Sequence, residues 1–241
     1  MNRNISRVGT FSSSKISKLM KMSTGGKGLG IPALTYIEEK RLEKKLGRQL
    51  EKETNSHSAT WGRFVQHRVT DLLLPKDCKP TKDIRRAHPT IDNWTGAEDY
   101  LKWSPEAGER YDIAGEIKCF ELKNFCKTHD AASAGFKDLK EECPEVAWQL
   151  VSHAILCGVK KVELTLYVPY KRELDAIRTE AGQGDQPYEI QRIQYKKDEE
   201  LPYLIEGTHY PNLSSFLFDI TDDDIALLTS RVELANKMLQ P

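Results

Sequence analysis

Ser104-Pro105-Glu106-Ala107-Gly108-Glu109-Arg110-Tyr111-Asp112-Ile113-Ala114-Gly115-Glu116-Ile117-Lys118-Cys119 is the stretch on which the fold assignment turns. Tyr100 to Trp103 and Ile113 to Phe120 read as the two strands of a hairpin. Glu116 and Lys118 stand two apart on the second strand, so their side chains leave the same face. Glu106 lies ten residues before Glu116, across a turn able to return it to that face. Two carboxylates and an ammonium on one sheet edge suit Mg²⁺, a hard cation that prefers oxygen ligands and keeps several waters. Beside such an ion, Lys118 could orient a water and offset charge on a phosphate. A cross-strand ladder of Glu and Lys on the surface would give the same three residues, and E-x-K alone recurs often by chance.

Working outward, Ala59 to Leu74 has a helical apolar face of Phe64, Val65, Val69, Leu72 and Leu73, opened by Trp61-Gly62-Arg63 and ended by Pro75. Glu145 to Cys157 reads as an apolar helix stopped by Gly158, and Lys161 to Val168 alternates as a strand. Nearer the start, hydroxyl residues cap a short helix within residues 10–22. Gly25, Gly26, Gly28 and Gly30 form a connector, and Ala33 to Leu46 is helical up to Gly47. No G-K-[ST] follows those glycines, so they do not make a phosphate-cradling P-loop. Later, Tyr188 to Tyr195 reads as a strand. Asp222 to Leu239 reads as a helix whose three leading Asp residues favour its positive end.

The 241 residues fit one domain better than two, and 39% apolar with 30% charged residues is an ordinary globular balance. No apolar run reaches membrane-helix length, and the opening Met1-Asn2-Arg3-Asn4 precedes no signal core; the expectation is a cytoplasmic, reducing compartment without membrane contact. Cys78, Cys119, Cys126, Cys143 and Cys157 lack C-x2-C zinc spacing, with Cys119 near a strand end and Cys126 in a loop, and read as free or buried thiols. Formal net charge is zero, yet residues 1–50 carry eleven Lys and Arg against three Glu. Phosphate binding needs such a local basic face, not a basic chain, although Lys40 to Lys45 fit a solvated helix surface equally well.

Ser104-Pro105-Glu106, nine residues, then Glu116-Ile117-Lys118-Cys119 resembles the S-P-D-x9-E-[LI]-K-C of the lambda exonuclease (YqaJ-type) family. Trp61-Gly62-Arg63 is similar to that family's W-G-[KR]. Arg7-Val8-Gly9-Thr10-Phe11-Ser12-Ser13-Ser14 is similar to R-[LI]-G-x-[IF]-T-A-S, and Trp148-Gln149 stands in a helix before the strand that ends at Tyr167-Val168-Pro169. The resemblance runs in order from Arg7 to about Pro169.

It implies an α/β fold with a PD-(D/E)XK restriction-endonuclease-like core, a central mixed sheet flanked by helices. A single nuclease-like domain would span 1–241, with the core at about 7–170 and a strand-and-helix extension over 171–241. It further implies a metal-dependent deoxyribonuclease, an exonuclease acting 5′-to-3′ on double-stranded DNA ends in phage-type recombination. Glu106, Glu116 and the Ile117 carbonyl would hold Mg²⁺, with Mn²⁺ as a substitute. Lys118 would position the water, Gln149 would bond near the scissile phosphate, and Arg7, Ser14 and Ser104 would hold a 5′-phosphate. A single-strand annealing partner and a homo-oligomeric ring are implied as well. Two positions depart from the pattern: Glu106 replaces Asp, and Gln66 replaces the Glu of W-G-x-x-x-E. Asp112 or Asp71 could compensate for Gln66. A structure-specific endonuclease on the same fold, or a DNA-binding protein that has lost cleavage, are the rival readings.

Overall fold

The computed structural model describes residues 6–26, 28–50, 56–81, 84–104 and 110–239. Glu106 therefore lies outside the described residues. The main sheet has five strands in the order β2 (Cys78–Pro80), β5 (Tyr100–Lys102), β6 (Ile113–Lys118), β7 (Lys161–Tyr167) and β8 (Leu213–Asp219). Only β6 and β7 run parallel. That pair needs a crossover, which is made by α3 (Leu122–Ala134), α4 (Phe136–Glu142) and α5 (Pro144–Cys157). A smaller sheet joins β1 (Phe11–Ser12), β4 (Trp94–Gly96) and β3 (Arg86–Ala87).

Each face of the main sheet has its own core. On one side Val162, Leu164 and Leu166 of β7 meet Val146, Leu150, Val151 and Ala154 of α5, each large side chain worth about 1.5–3 kcal/mol when fully buried. α1 (Ile31–Leu46) and α8 (Asp222–Leu239) close this layer. On the other side Trp61, Phe64 and Val65 of α2 (His57–Arg68) meet Tyr100, Ile117 and Tyr167, with Leu174 and Ile177 of α6 (Leu174–Ala181) behind them. Two glycines allow these approaches. A Cβ on Gly115 would lie 2.1 Å from the Tyr100 ring, and one on Gly62 would lie 3.1 Å from the Cys119 carbonyl.

The hairpin, the helix before Gly158 and the strand after it stand where the sequence puts them. The α2 helix is shorter than Ala59 to Leu74 because a single π-helical turn, Val69–Leu73, takes over at Val69. Tyr188 to Tyr195 is not a strand. It is a short helix, α7 (Tyr188–Gln191), continued by a 3-10 turn. Pro187 supplies a preset entry angle, and Ile190 and Ile193, three apart, both pack against the α2 core. Cys126 lies inside α3 rather than in a loop. β8 pairs with β7 along seven residues, so residues after 170 complete the main sheet. The Asp run does open α8: Asp224 accepts from Thr221 Oγ1 at 2.8 Å, its amide donates back at 3.1 Å, and Lys140 pairs with its carboxylate at 2.6 Å.

Candidate active site

Alternation along β6 turns Ala114, Glu116 and Lys118 toward α5 and Ile117 toward α2. Lys118 Nζ donates to Glu116 Oε1 at 2.7 Å and to Gln149 Oε1 at 2.9 Å, while Gln149 Nε2 donates to Glu116 Oε1 at 2.7 Å. The other carboxylate oxygen, Glu116 Oε2, lies 2.9 Å from His153 Nε2. Gln149 and His153 are four apart on α5, one above the other on the face turned to the sheet. Glu116 is 5% exposed and His153 1%. Burial alone would raise the Glu116 pKa, but the Lys118 charge and the His153 hydrogen bond outweigh it and hold it at about 2. Burial would lower the Lys118 pKa, and the Glu116 charge reverses this so that it is raised. Lys118 is therefore an ammonium at neutral pH.

A second carboxylate, from a residue outside the sequence-derived set, reaches the same place. Tyr100 pairs with Gly115, so one further step along the antiparallel register sets Asp99 beside Glu116. Its amide donates to the Gly115 carbonyl at 2.9 Å. Asp99 Oδ2 accepts from the Ile117 amide at 2.7 Å, and Oδ1 accepts from Gln66 Nε2 at 2.6 Å. Burial first, and the Glu116 charge second, push Asp99 up to about 7. Asp112 does not fill this role, because both its oxygens are taken by Ser104, from the amide at 2.7 Å and the hydroxyl at 2.6 Å. Asp71 lies in the π turn beyond α2.

The structure thus gathers Glu116, Ile117, Lys118, Gln149 and Gln66 around one point and adds Asp99 and His153. It turns Ser104 away, toward Asp112. Ser14 sits on the N-terminal 3-10 turn, its hydroxyl 3.2 Å from that of Ser12. Ser13 beside it bonds Ser152 of α5 at 2.8 Å. Arg7 lies close to Arg85, whose pKa is lowered by burial and then by the Arg7 charge. Arg85 was not singled out by any motif. His153 carries a signal in the sequence, its i+4 spacing from Gln149, whereas Asp99 is placed by the pairing register of β5 with β6, which no spacing in the sequence shows.

Among the described residues no group of three or more His, Cys, Asp or Glu side chains is arranged to hold a metal ion. Two neighbouring carboxylates, one of them raised first by burial and second by the charge of the other, are nonetheless a hard-oxygen donor set that a divalent cation would relieve. With a main-chain carbonyl and water completing the shell, that set fits Mg²⁺.

No family model and no curated protein matches the sequence. Solved structures do share the fold. The alkaline exonuclease LHK-Exo from Laribacter hongkongensis matches with a TM-score of 0.62 at 14% identity, over 97% of this chain and 89% of that one; its complex with dAMP matches equally. A phage-related exonuclease from Haemophilus somnus 129PT matches with a TM-score of 0.59 at 14% identity, over 95% and 93%. The chain therefore has the α/β fold of these exonucleases, a mixed sheet flanked by helices.

Proposed function

We propose that this protein is a metal-dependent deoxyribonuclease that removes nucleotides from the ends of linear duplex DNA. The observation that carries the proposal is the convergence of Asp99 and Glu116 with Lys118 and Gln149 at the junction of β5, β6 and α5. The fold shared with exonucleases supports it, as does a nucleotide monophosphate bound by one of them.

In this reading Asp99, Glu116 and the Ile117 carbonyl hold Mg²⁺, or Mn²⁺ in its place. When bound there, a divalent cation supplies Lewis-acid polarisation of the phosphate. Lys118 acts as a fixed positive charge, since its raised pKa makes it a poor base. It orients the attacking water through its remaining proton and offsets charge growing on the phosphoryl oxygens. Gln149 fixes the Lys118 rotamer, so the ammonium needs no reorganisation when the phosphate arrives. Gln66 holds Asp99 by a neutral amide, and the carboxylate missing at position 66 is supplied across the strand pair by Asp99.

The finer reading is 5′-to-3′ digestion within phage-type recombination, alongside a strand-annealing partner and in a ring-like oligomer. Arg7 and Ser14 would contribute to holding the 5′-phosphate, with Arg85 beside them. No described helix is long and apolar enough to cross a membrane. The test is digestion of linear duplexes bearing 5′-phosphate or 5′-hydroxyl ends and of closed circles, each with Mg²⁺, Mn²⁺ or EDTA. Loss of the linear forms with divalent metal and survival of circles is the expected result. Cutting of circles would favour an endonuclease, and binding without cutting a protein that has lost cleavage.

A further inference from the structure

Glu116 is held by three donors. Lys118 and Gln149 share Oε1, at 2.7 Å each, and His153 takes Oε2, with its Nε2 at 2.9 Å. Helix spacing puts the imidazole there, because Gln149 and His153 stand four apart on α5 and so lie one above the other. Its neighbour Ser152 is itself pinned: the Trp94 indole N–H donates to Ser152 Oγ at 2.9 Å, and the Ser13 hydroxyl lies 2.8 Å from it. An apolar side chain would fill the space of a buried ring as well, and α5 uses Val146, Leu150, Val151 and Ala154 for that against the sheet. It could not bond Oε2 and stop the carboxylate turning about its last bond.

The hydrogen bonds decide which ring nitrogen carries the proton. Without a proton, Nε2 would set its lone pair against a carboxylate oxygen 2.9 Å away. It would also draw on Gln149 Nε2, yet that amide lies 3.4 Å from it and 2.7 Å from Glu116 Oε1. With the proton, Nε2 donates to Oε2, and both buried groups gain a partner. A carboxylate offers about four acceptor positions, two on each oxygen. On Glu116 the two donors to Oε1 fill that oxygen, whereas Oε2 takes His153 alone among the described residues.

We propose that His153 is a positioning residue for metal-dependent cleavage: its Nε2–H fixes the Glu116 carboxylate and leaves the open acceptor position of Oε2 to the divalent cation. The proposal rests on the nuclease reading and deepens it, since it gives the cation one oxygen of Glu116 and gives the imidazole a hold on the ligand, not on the metal. Fixing Glu116 also fixes Lys118 and Gln149, which share its other oxygen. Loss of one hydrogen bond therefore loosens the whole set.

The test compares the full chain with His153→Leu, His153→Gln and His153→Asn. Gln carries its Nε2 as many bonds from Cβ as His does and restores the donor, whereas Asn is one bond shorter and falls short of Oε2. In the metal-free protein, solvent exchange of the Gln149 side-chain amide protons, followed by NMR, should quicken about tenfold in His153→Leu and His153→Asn. It should stay near the unaltered rate in His153→Gln. Mn²⁺ affinity, by calorimetry, should fall about 10- to 100-fold in His153→Leu and His153→Asn and be largely kept in His153→Gln. If His153→Leu does not fold, the contrast between His153→Gln and His153→Asn decides alone. Pulsed EPR of the Mn²⁺-loaded chain should show no coupling to a directly bonded nitrogen. Unchanged amide exchange in His153→Asn would overturn the proposal, as would equal metal affinities across the variants. A directly bonded nitrogen would make His153 a ligand and overturn it too. Failure of the unaltered chain to bind any divalent cation, with the exchange pattern as expected, would count against the nuclease reading and leave the hold on Glu116 standing, because the exchange measurement contains no metal.

Discussion

Asp99 Oδ1 accepts a 2.6 Å hydrogen bond from Gln66 Nε2, so a neutral amide supports the carboxylate that stands beside Glu116. Asp99→Asn keeps the shape and removes the charge. Divalent-metal affinity, measured by calorimetry, should fall about 10- to 100-fold. Cleavage should fall at least as far. Undiminished Mg²⁺ binding would remove Asp99 from the site.

Gln66→Glu places a second acid against Asp99 and removes the donated hydrogen bond. Without metal the variant should be less stable at pH 8 by about 1–3 kcal/mol, read by chemical denaturation. Added Mg²⁺ should then raise its melting temperature more than it raises that of the unaltered chain, because the cation relieves the added repulsion. An equal metal-induced rise in both would show that position 66 does not face the cation.

Glu43 is buried and accepts from Lys40 at 2.7 Å, from the Gly9 amide at 2.9 Å and from the Leu50 amide at 3.3 Å. Burial would raise its pKa, but the Lys40 and Gly9 hydrogen bonds lower it below the ordinary 4.5. A depressed carboxylate contributes stability above its unfolded pKa and loses it as pH falls through the folded value. Between pH 5 and 3 the unaltered chain should therefore lose more stability than Glu43→Gln. The Gly9 amide, two residues from Arg7, should exchange with solvent earlier than those of α5 as the pH drops. Parallel acid profiles for the two proteins would refute the assignment.

Much of this site was legible in the sequence because strand alternation is local. Glu116 and Lys118 share a face whatever lies around them, and the apolar run before Gly158 fixes Gln149 on a helix that covers the sheet. Asp99 was not legible. Its nearness to Glu116 depends on where β5 and β6 come into register, a non-local quantity that the spacing from Ser104 does not reveal. The same limit hid the pairing of Ser104 with Asp112. The 188–195 segment misled because Tyr188, Ile190, Arg192 and Tyr195 imitate strand composition, while Pro187 and the i, i+3 pair of Ile190 and Ile193 decide for a helical turn once α2 is there to receive them.

The central claim is that Lys118, held between Glu116 and Gln149, serves metal-dependent cleavage of DNA ends. The direct measurement is digestion of a linear 5′-phosphorylated duplex by the unaltered chain and by Lys118→Ala, with Mg²⁺ and with EDTA, alongside circular dichroism of both. The account predicts Mg²⁺-dependent digestion that falls by about 100-fold or more in the variant while the spectrum is kept. Digestion that continues unchanged in the Lys118→Ala protein, or in EDTA, would contradict it.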